Sequence, residues 1–588
     1  MDKPQLSPDD AEASEKLFQA GDKIEIRPQM AVTPQNGDTR IDMVEVRQAF
    51  VGMGKEELMR FANDPFWVKL RWFLFGLFWV LWFGMLFGAV AIIAYAPKCS
   101  APAERDWFEK SPLYLINADQ IRDSDGKEIP LDQGLMLMKD HLNSLGIKSI
   151  LLDLNSENDD DFKVLPKKYG SEESLKKVLS TLRESGIHTF LKIVPNHASI
   201  KNPWFTKSAQ REDPYESYFV WAKGKDGGPP NNWNTVDTVD GQSAWSLNDE
   251  RGEYYLHQAN STFADLNFRN PALTDYFSGV YKHWLSIGFC GIHLEKVSLL
   301  VEDANLEDEH PSTVNDGKLG ERDFLTHSKT SELQESYDII KKWAAVITNS
   351  SGVLSVDRVS GPDVPANLIQ RPLSIDTREN SISLEKQLET YIPNVIQMPH
   401  QLWALDSTST QNLSPANIQN INLLFLLLPG TSMISSGLEV GQVKQQILRL
   451  PVFKGAPWGS ASVEMSSKTL FSTFQKVVEL RESPSITHGN TEFIKSNTSV
   501  LLITRLKDGN PGYLISLNLD DTDTQEVDLK EAQVKGAVNK NLKLVASSTN
   551  FTEANTGKIS SETNALEALQ FTMPPSSFAV IEYVVASE

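Results

Sequence analysis

Hydrophobic positions along this chain fall into three textures. Before residue 72 they are sparse and without period; Asp, Glu, Gln, Pro and Ser are frequent, which predicts a largely disordered tail. Trp72 to Tyr95 reads WFLFGLFWVLWFGMLFGAVAIIAY, without a charged residue. About 20 apolar residues cross a bilayer core as a helix, so this stretch predicts a membrane span, with Trp72 and Tyr95 as interfacial anchors. A soluble core helix of that length would carry a polar face, and a signal peptide would lie nearer the N-terminus. After Cys99 short apolar runs alternate with helical stretches. Strands are predicted at Leu113–Asn117, Lys148–Leu154, His188–Pro195, Gly288–Glu295, Gly352–Val359, Leu373–Ile375, Asn394–Met398 and Thr431–Ser435. Helices between them include Asp132–Ser144 and Glu172–Ser185, the latter opened by Ser171 as an N-cap. That alternation predicts an α/β chain with a (β/α)₈ barrel. A loop-like insertion, about 199–270, follows the third strand and is dense in Asn, Asp, Gly, Pro and Trp. From Glu482 onward the runs Ser499–Arg505, Gly512–Asn518, Leu542–Ala546 and Phe578–Val585 show no helical pattern and predict an antiparallel β-sandwich. The chain thus reads as a tail (1–71), a span (72–95), a stalk (96–110), a barrel (111–481) and a C-terminal sandwich (482–588).

Charge and cysteine content narrow the function. Acidic side chains outnumber basic ones by 77 to 56, a formal charge of −21 over 588 residues, which repels phosphate backbones and argues against a nucleic-acid partner. Two cysteines exclude a disulfide-stapled scaffold and an all-cysteine metal site; neither a metal nor a cofactor is expected. Cys99, just beyond the span, is an exposed thiol that in an oxidising compartment tends to find a partner, which makes an interchain disulfide the leading reading. Cys290, in the fourth strand, reads as a small buried hydrophobe. Lys55, Arg60, Lys69 and Arg71 precede the span and Lys98, Arg105 and Lys110 follow it, a slight bias towards a cytosolic N-terminus. Asn260, Asn349, Asn412, Asn497 and Asn550 each open a glycosylation triplet, and all lie beyond the span. Together these predict a type II membrane glycoprotein. A single span without a charge inside it offers no solute route of its own.

Several segments carry a family resemblance: LKIVPNHAS at 191–199, YYLHQ at 254–258, FADLNFRNPAL at 263–273, GFCGIHLEKV at 288–297 and LLPGTSMISSGLEVG at 427–441. With the order of barrel, insertion and terminal β-domain, they resemble the α-amylase family of glycoside hydrolases over about residues 110–588. That chemistry needs a nucleophilic carboxylate and a proton-donating one about 5 Å apart. Position by position, the resemblance implies a degraded set. The third-strand motif of the family opens with Asp where this chain has Lys192, while Asn196 and His197 are kept. The fourth-strand motif Gly-x-Asp-Gly-Phe-Arg-x-Asp reads Gly288 to Glu295, so His293 stands for the Arg and Glu295 for the nucleophile. Asp357 falls near the proton donor's place, and Asp406 is what remains of the Asn-His-Asp of strand seven. Histidine does not replace a permanently charged, bidentate Arg, and a displacement near 1 Å costs about 100-fold in rate.

The block EELMRFANDPFWVKLRWFLFGLFWVLWFGMLFGAVAIIAYAPKC at 56–99, the Trp107–Phe108 pair and LYLI at 113–116 are similar to the heavy subunits of heteromeric amino-acid transporters, of the 4F2 cell-surface antigen type. The vertebrate 4F2 type lacks most of the insertion after strand three, which this chain keeps. The resemblance implies a partner, a multi-spanning light chain joined through Cys99, and a plasma-membrane location with the C-terminal part outside. It implies an accessory role without glycosidase activity. Two other classes compete: a membrane-anchored α-glucosidase using Glu295 and Asp357, and an adhesion or receptor ectodomain that binds without turnover.

Overall fold

The computed structural model describes Met59, residues 61–95, and residues 104–584 apart from 123–127, 155–160, 237–240, 314–316, 362–363, 374, 376–382, 406–412, 442–447, 450–464, 496–498, 535–541 and 561–562. They divide between two compact units, Met1–Ala101 and Pro102–Glu588. In the first, one helix runs Pro65–Tyr95 over 31 residues, about 46 Å at the usual rise. It starts seven residues before the predicted span. The reason is local: Pro65 suits a first helical position, and Asp64 caps it by accepting from Phe66 N at 2.9 Å. None of its side chains is buried, and it is long and apolar enough to cross a membrane.

In the second unit eight parallel strands close into a barrel: β1 Leu113–Asn117, β2 Ser149–Asp153, β3 His188–Ile193, β4 Gly291–Leu294, β5 Val353–Val356, β6 Leu368–Gln370, β7 Gln401–Trp403 and β8 Thr431–Ser435. Helices cross between them, as parallel pairing demands. The helix Glu172–Glu184 begins where Ser171 accepts from Ser174 N, and it buries Leu175, Val178, Leu179 and Leu182 on one face. Two predicted strands are displaced. The sixth is Leu368–Gln370 rather than Leu373–Ile375: Pro372 has no N–H for the ladder, so pairing stops before it. The seventh is Gln401–Trp403, because Asn394 and Val395 close the helix Leu384–Val395, whose buried Leu388, Ile392 and Val395 recur at helical spacing.

The predicted loop-like insertion is folded. It holds the helix Pro203–Ala209 and a three-stranded sheet, Trp221–Ala222, Glu253–Leu256 and Trp245–Asn248, around its own core of Val220, Trp233, Ala244, Trp245 and Leu256. Large indoles bury enough apolar area to support so small a sheet. At the other end of the barrel, Trp107 and Phe108 pack with Leu113, Leu151, Phe190 and Val353, and Trp107 stacks on His188 at 4.3 Å. The C-terminal part has a five-stranded antiparallel sheet in the order Asn490–Ile494, Leu501–Leu506, Gly512–Asn518, Ser577–Tyr583, Leu542–Ser547. The pair Gln525–Asp528 and Gln570–Met573 joins it around a core containing Phe551, Phe571 and Met573. Two short helices, Pro484–His488 and Thr549–Ala554, occur where no helical pattern was predicted; each is too short to show a period.

Candidate functional site

Parallel register brings the chemistry to the C-terminal ends of the strands, where barrels of this kind place their sites. His293 on β4 is level with Lys192 on β3 and with Ser355 on β5. Asp153 closes β2, and Glu295 and Asp357 follow β4 and β5 directly. The Lys192 ammonium lies 2.9 Å from Glu295 Oε2 and 3.1 Å from Asp153 Oδ2. Burial opposes its charge, but the carboxylates of Glu295 and Asp153 together outweigh burial and raise its pKa. For Glu295 burial likewise favours the neutral form, yet Lys192, then His293, hold its carboxyl below the ordinary value. These two groups are an ion pair at neutral pH.

His293 is wholly buried; its Nδ1 lies 2.8 Å from Ser355 Oγ and its Nε2 has no hydrogen-bond partner. Burial holds its pKa down at about 4, so the ring is neutral where the family motif has a cation. Asp357 behaves oppositely: burial, then the Glu295 charge, push its carboxyl up to about 7, while its Oδ1 accepts from Lys296 N at 2.7 Å. Lys296 and Arg358, the residues after these two carboxylates, both have left-handed backbones, φ 57° and 46°. Non-glycine residues there are strained, which marks the turn that carries each carboxylate off its strand.

Asn196 donates from Nδ2 to Leu299 O at 2.7 Å, and its Oδ1 lies 3.1 Å from His197 Nδ1. Burial keeps His197 at about 3, hence neutral. Across the short pair His197–Ser199 and Phe263–Asp265, the buried Asp265 accepts from Gln258 N at 3.2 Å, and its Oδ2 has no partner. Burial lifts Asp265 to about 7, and Glu302 nearby is lifted to about 7 by the same cause. Sequence reasoning missed Asp153, Asp265, Glu302 and Ser355. Asp153 was within reach, since a carboxylate ending an apolar run, SILLD, sits at the rim of a barrel strand. Asp265 lay within FADLNFRNPAL, where the resemblance gave it no role, and Glu302 and Ser355 had no such signal.

Lys192, His293, Glu295 and Asp357 therefore meet in one place. Asp406 lies outside the described residues, as do Cys99, Asn412 and Asn497. Cys290 directly precedes β4 and is a buried free thiol. Asn349 is exposed, whereas Asn260 and Asn550 are half-buried. Among the described residues, no group of three or more His, Cys, Asp or Glu is placed to hold a metal ion. The Lys192 contact engages Oε2 of Glu295 and sets a cation directly against this carboxylate.

Residues 38–114 match the family described as Solute carrier family 3 member 2 N-terminus, and 115–365 match Alpha amylase, catalytic domain. Among curated proteins, the amino acid transporter heavy chain SLC3A1 of Rattus norvegicus is 26% identical over 486 residues, covering 75% of this chain and 69% of that one. An alpha-glucosidase of Culex pipiens is 25% identical over 501 residues, covering 74% and 85%. Of solved structures, the alpha-glucosyl transfer enzyme XgtA superposes with a TM-score of 0.63 at 18% identity, over 82% of this chain and all of that one, a likeness of fold alone. The chain thus has the α-amylase superfamily fold, preceded by a match to the N-terminus of solute carrier family 3 member 2, and is similar both to amino-acid transporter heavy chains and to alpha-glucosidases.

Proposed function

We propose that this protein is the accessory heavy subunit of a heteromeric amino-acid transporter and does not hydrolyse glycosides. In this reading 1–71 is cytosolic, 72–95 spans the plasma membrane in the type II sense, and 96–110 is a stalk. The barrel, 111–481, and the C-terminal domain, 482–588, are extracellular. Cys99 forms a disulfide with a multi-spanning light chain, which carries the substrate path. The observation that supports it most is the ion pair of Lys192 with Glu295, 2.9 Å apart, which sets an ammonium where the family motif has an Asp, against a side chain one methylene longer than the family's nucleophile. The N-terminal match at 38–114 supports the same reading. On a non-reducing gel the full chain should run as a complex that reductant separates into two bands. Cys99→Ser should abolish that complex and Cys290→Ser should leave it intact, because the latter thiol is buried. A complex that persists in Cys99→Ser and vanishes in Cys290→Ser would refute the assignment.

One observation favours a membrane-anchored α-glucosidase as the second reading. Asp357 is pushed up to about 7 while Glu295 is pushed down, the split expected of a proton donor beside a nucleophile. It is weaker, because the same Lys192 that lowers Glu295 also occupies it. Maltose or aryl α-glucoside turnover that Glu295→Gln abolishes would promote this reading over the first.

A further inference from the structure

The opposite end of the barrel holds a second cluster of charge. A cavity of about 100 Å³ opens there between the segment preceding β1, the loop preceding β8 and the start of the C-terminal domain, with Arg105, Gly430, Arg481 and Thr487 among its walls. Arg481 is only 3% exposed. Its Nη1 donates to Leu426 O at 2.7 Å and its Nη2 to Gly430 O at 2.8 Å and Glu109 O at 3.4 Å, while its Nε has no acceptor. Every one of these acceptors is a neutral peptide carbonyl. Arg105 reaches over it, donating to Glu109 O at 3.3 Å and Arg481 O at 3.4 Å. A third guanidinium, Arg505, is fully buried close by and donates to Ile486 O on the cavity wall.

A buried cation is tolerated when an opposite charge accompanies it. Glu109 and Glu482 favour the charge on Arg105, though burial outweighs them. At Arg481 burial acts first, and Arg105 and Arg505 add repulsion; together they push its pKa down to about 10, with no acidic group in opposition. The guanidinium still carries its charge at neutral pH. Leu428, Pro429 and Ile486 line the remaining wall without supplying a negative charge. We infer that this cavity binds a small monovalent anion, the size of chloride or a compact carboxylate, between the guanidinia of Arg481 and Arg105. Counting Arg505 and Glu482 beside the wall residues Arg105, Arg481 and Glu109, three guanidinia face two carboxylates, an excess of one positive charge that matches a monovalent ligand better than phosphate. Because the walls come from both the barrel and the C-terminal domain, the anion ties the two together.

The test uses the full chain in detergent, melted in sodium gluconate, sodium chloride and sodium acetate at equal ionic strength. Matching the ionic strength holds general screening constant, and gluconate is too bulky for the cavity. Chloride should raise the melting temperature by about 2 °C in a saturable manner. Acetate acting as chloride does would extend the ligand to carboxylates; acetate acting as gluconate does would restrict it to inorganic anions. Arg105→Gln should weaken the apparent affinity about 10-fold or more. Crystals grown in bromide should show an anomalous peak in contact with both guanidinia, which does not depend on the variant folding. Equal melting in all three salts, a chloride effect unchanged in Arg105→Gln, or no bromide at Arg481 would each overturn the inference.

Discussion

At residue 192 one ammonium sets the charge balance at the rim of the barrel. The Lys192 ammonium satisfies Glu295 and Asp153 at once, so it holds three strand ends together. Lys192→Met should therefore destabilise the fold by about 3 kcal/mol, because two partly buried carboxylates lose their counter-charge; urea melts measure this, and an unchanged midpoint would contradict it. Asp357 makes a pH-dependent prediction. Its carboxyl titrates at about 7 in the folded chain against an ordinary value of 3.8, so the folded state holds the proton more tightly. That contribution is fully present below about pH 4 and is lost as pH rises through 7. Asp357→Asn keeps an oxygen for Lys296 N and removes the titration, so its stability relative to the parent should climb between pH 4 and 7 and level off above. Comparing the two chains matters, because His293 and His197, held down at about 4 and 3, pull the opposite way. Parallel stability curves for parent and variant would sink this account.

Single elements show which local signals suffice. The helix Glu172–Glu184 and strand β1 were legible because cap, period and length all act within a few residues. Strand β4 shows a requirement that is not local. A Cβ on Gly291 would meet the Phe190 ring on β3 and lie 2.8 Å from Val353 O on β5. Gly291→Ala should cost about 1–3 kcal/mol through overpacking, lowering the thermal midpoint without altering the secondary structure seen by circular dichroism. A variant as stable as the parent would mean that β4 has room to move. Strands β6 and β7 were misplaced because each has only three residues, too few for a period to emerge. Their positions come from pairing, Ile369 with Gln401 and Leu402 with Thr431, which are contacts between distant parts of the chain.

For the whole molecule, the proposed type II topology places every glycosylation triplet outside the cell. The structure separates two of the three described ones: Asn349 is exposed at the end of its helix, whereas Asn550 Nδ2 already donates to Pro575 O at 2.8 Å. Endoglycosidase should therefore shift the mass of the parent, less so in Asn349→Gln, and by the full amount in Asn550→Gln. No shift in cells competent for glycosylation would remove this support for the topology. The sequence by itself determined the membrane helix, the alternation that makes a (β/α)₈ barrel and the residue types along β3 and β4, since length, period and motif are properties of short segments. Only tertiary structure decided that Asp153, Lys192 and Glu295 form one ion cluster, that the insertion has a core of its own, and that Arg105 meets Arg481. Each of these joins residues far apart in the chain, and their distances are set by barrel closure, which no local pattern encodes.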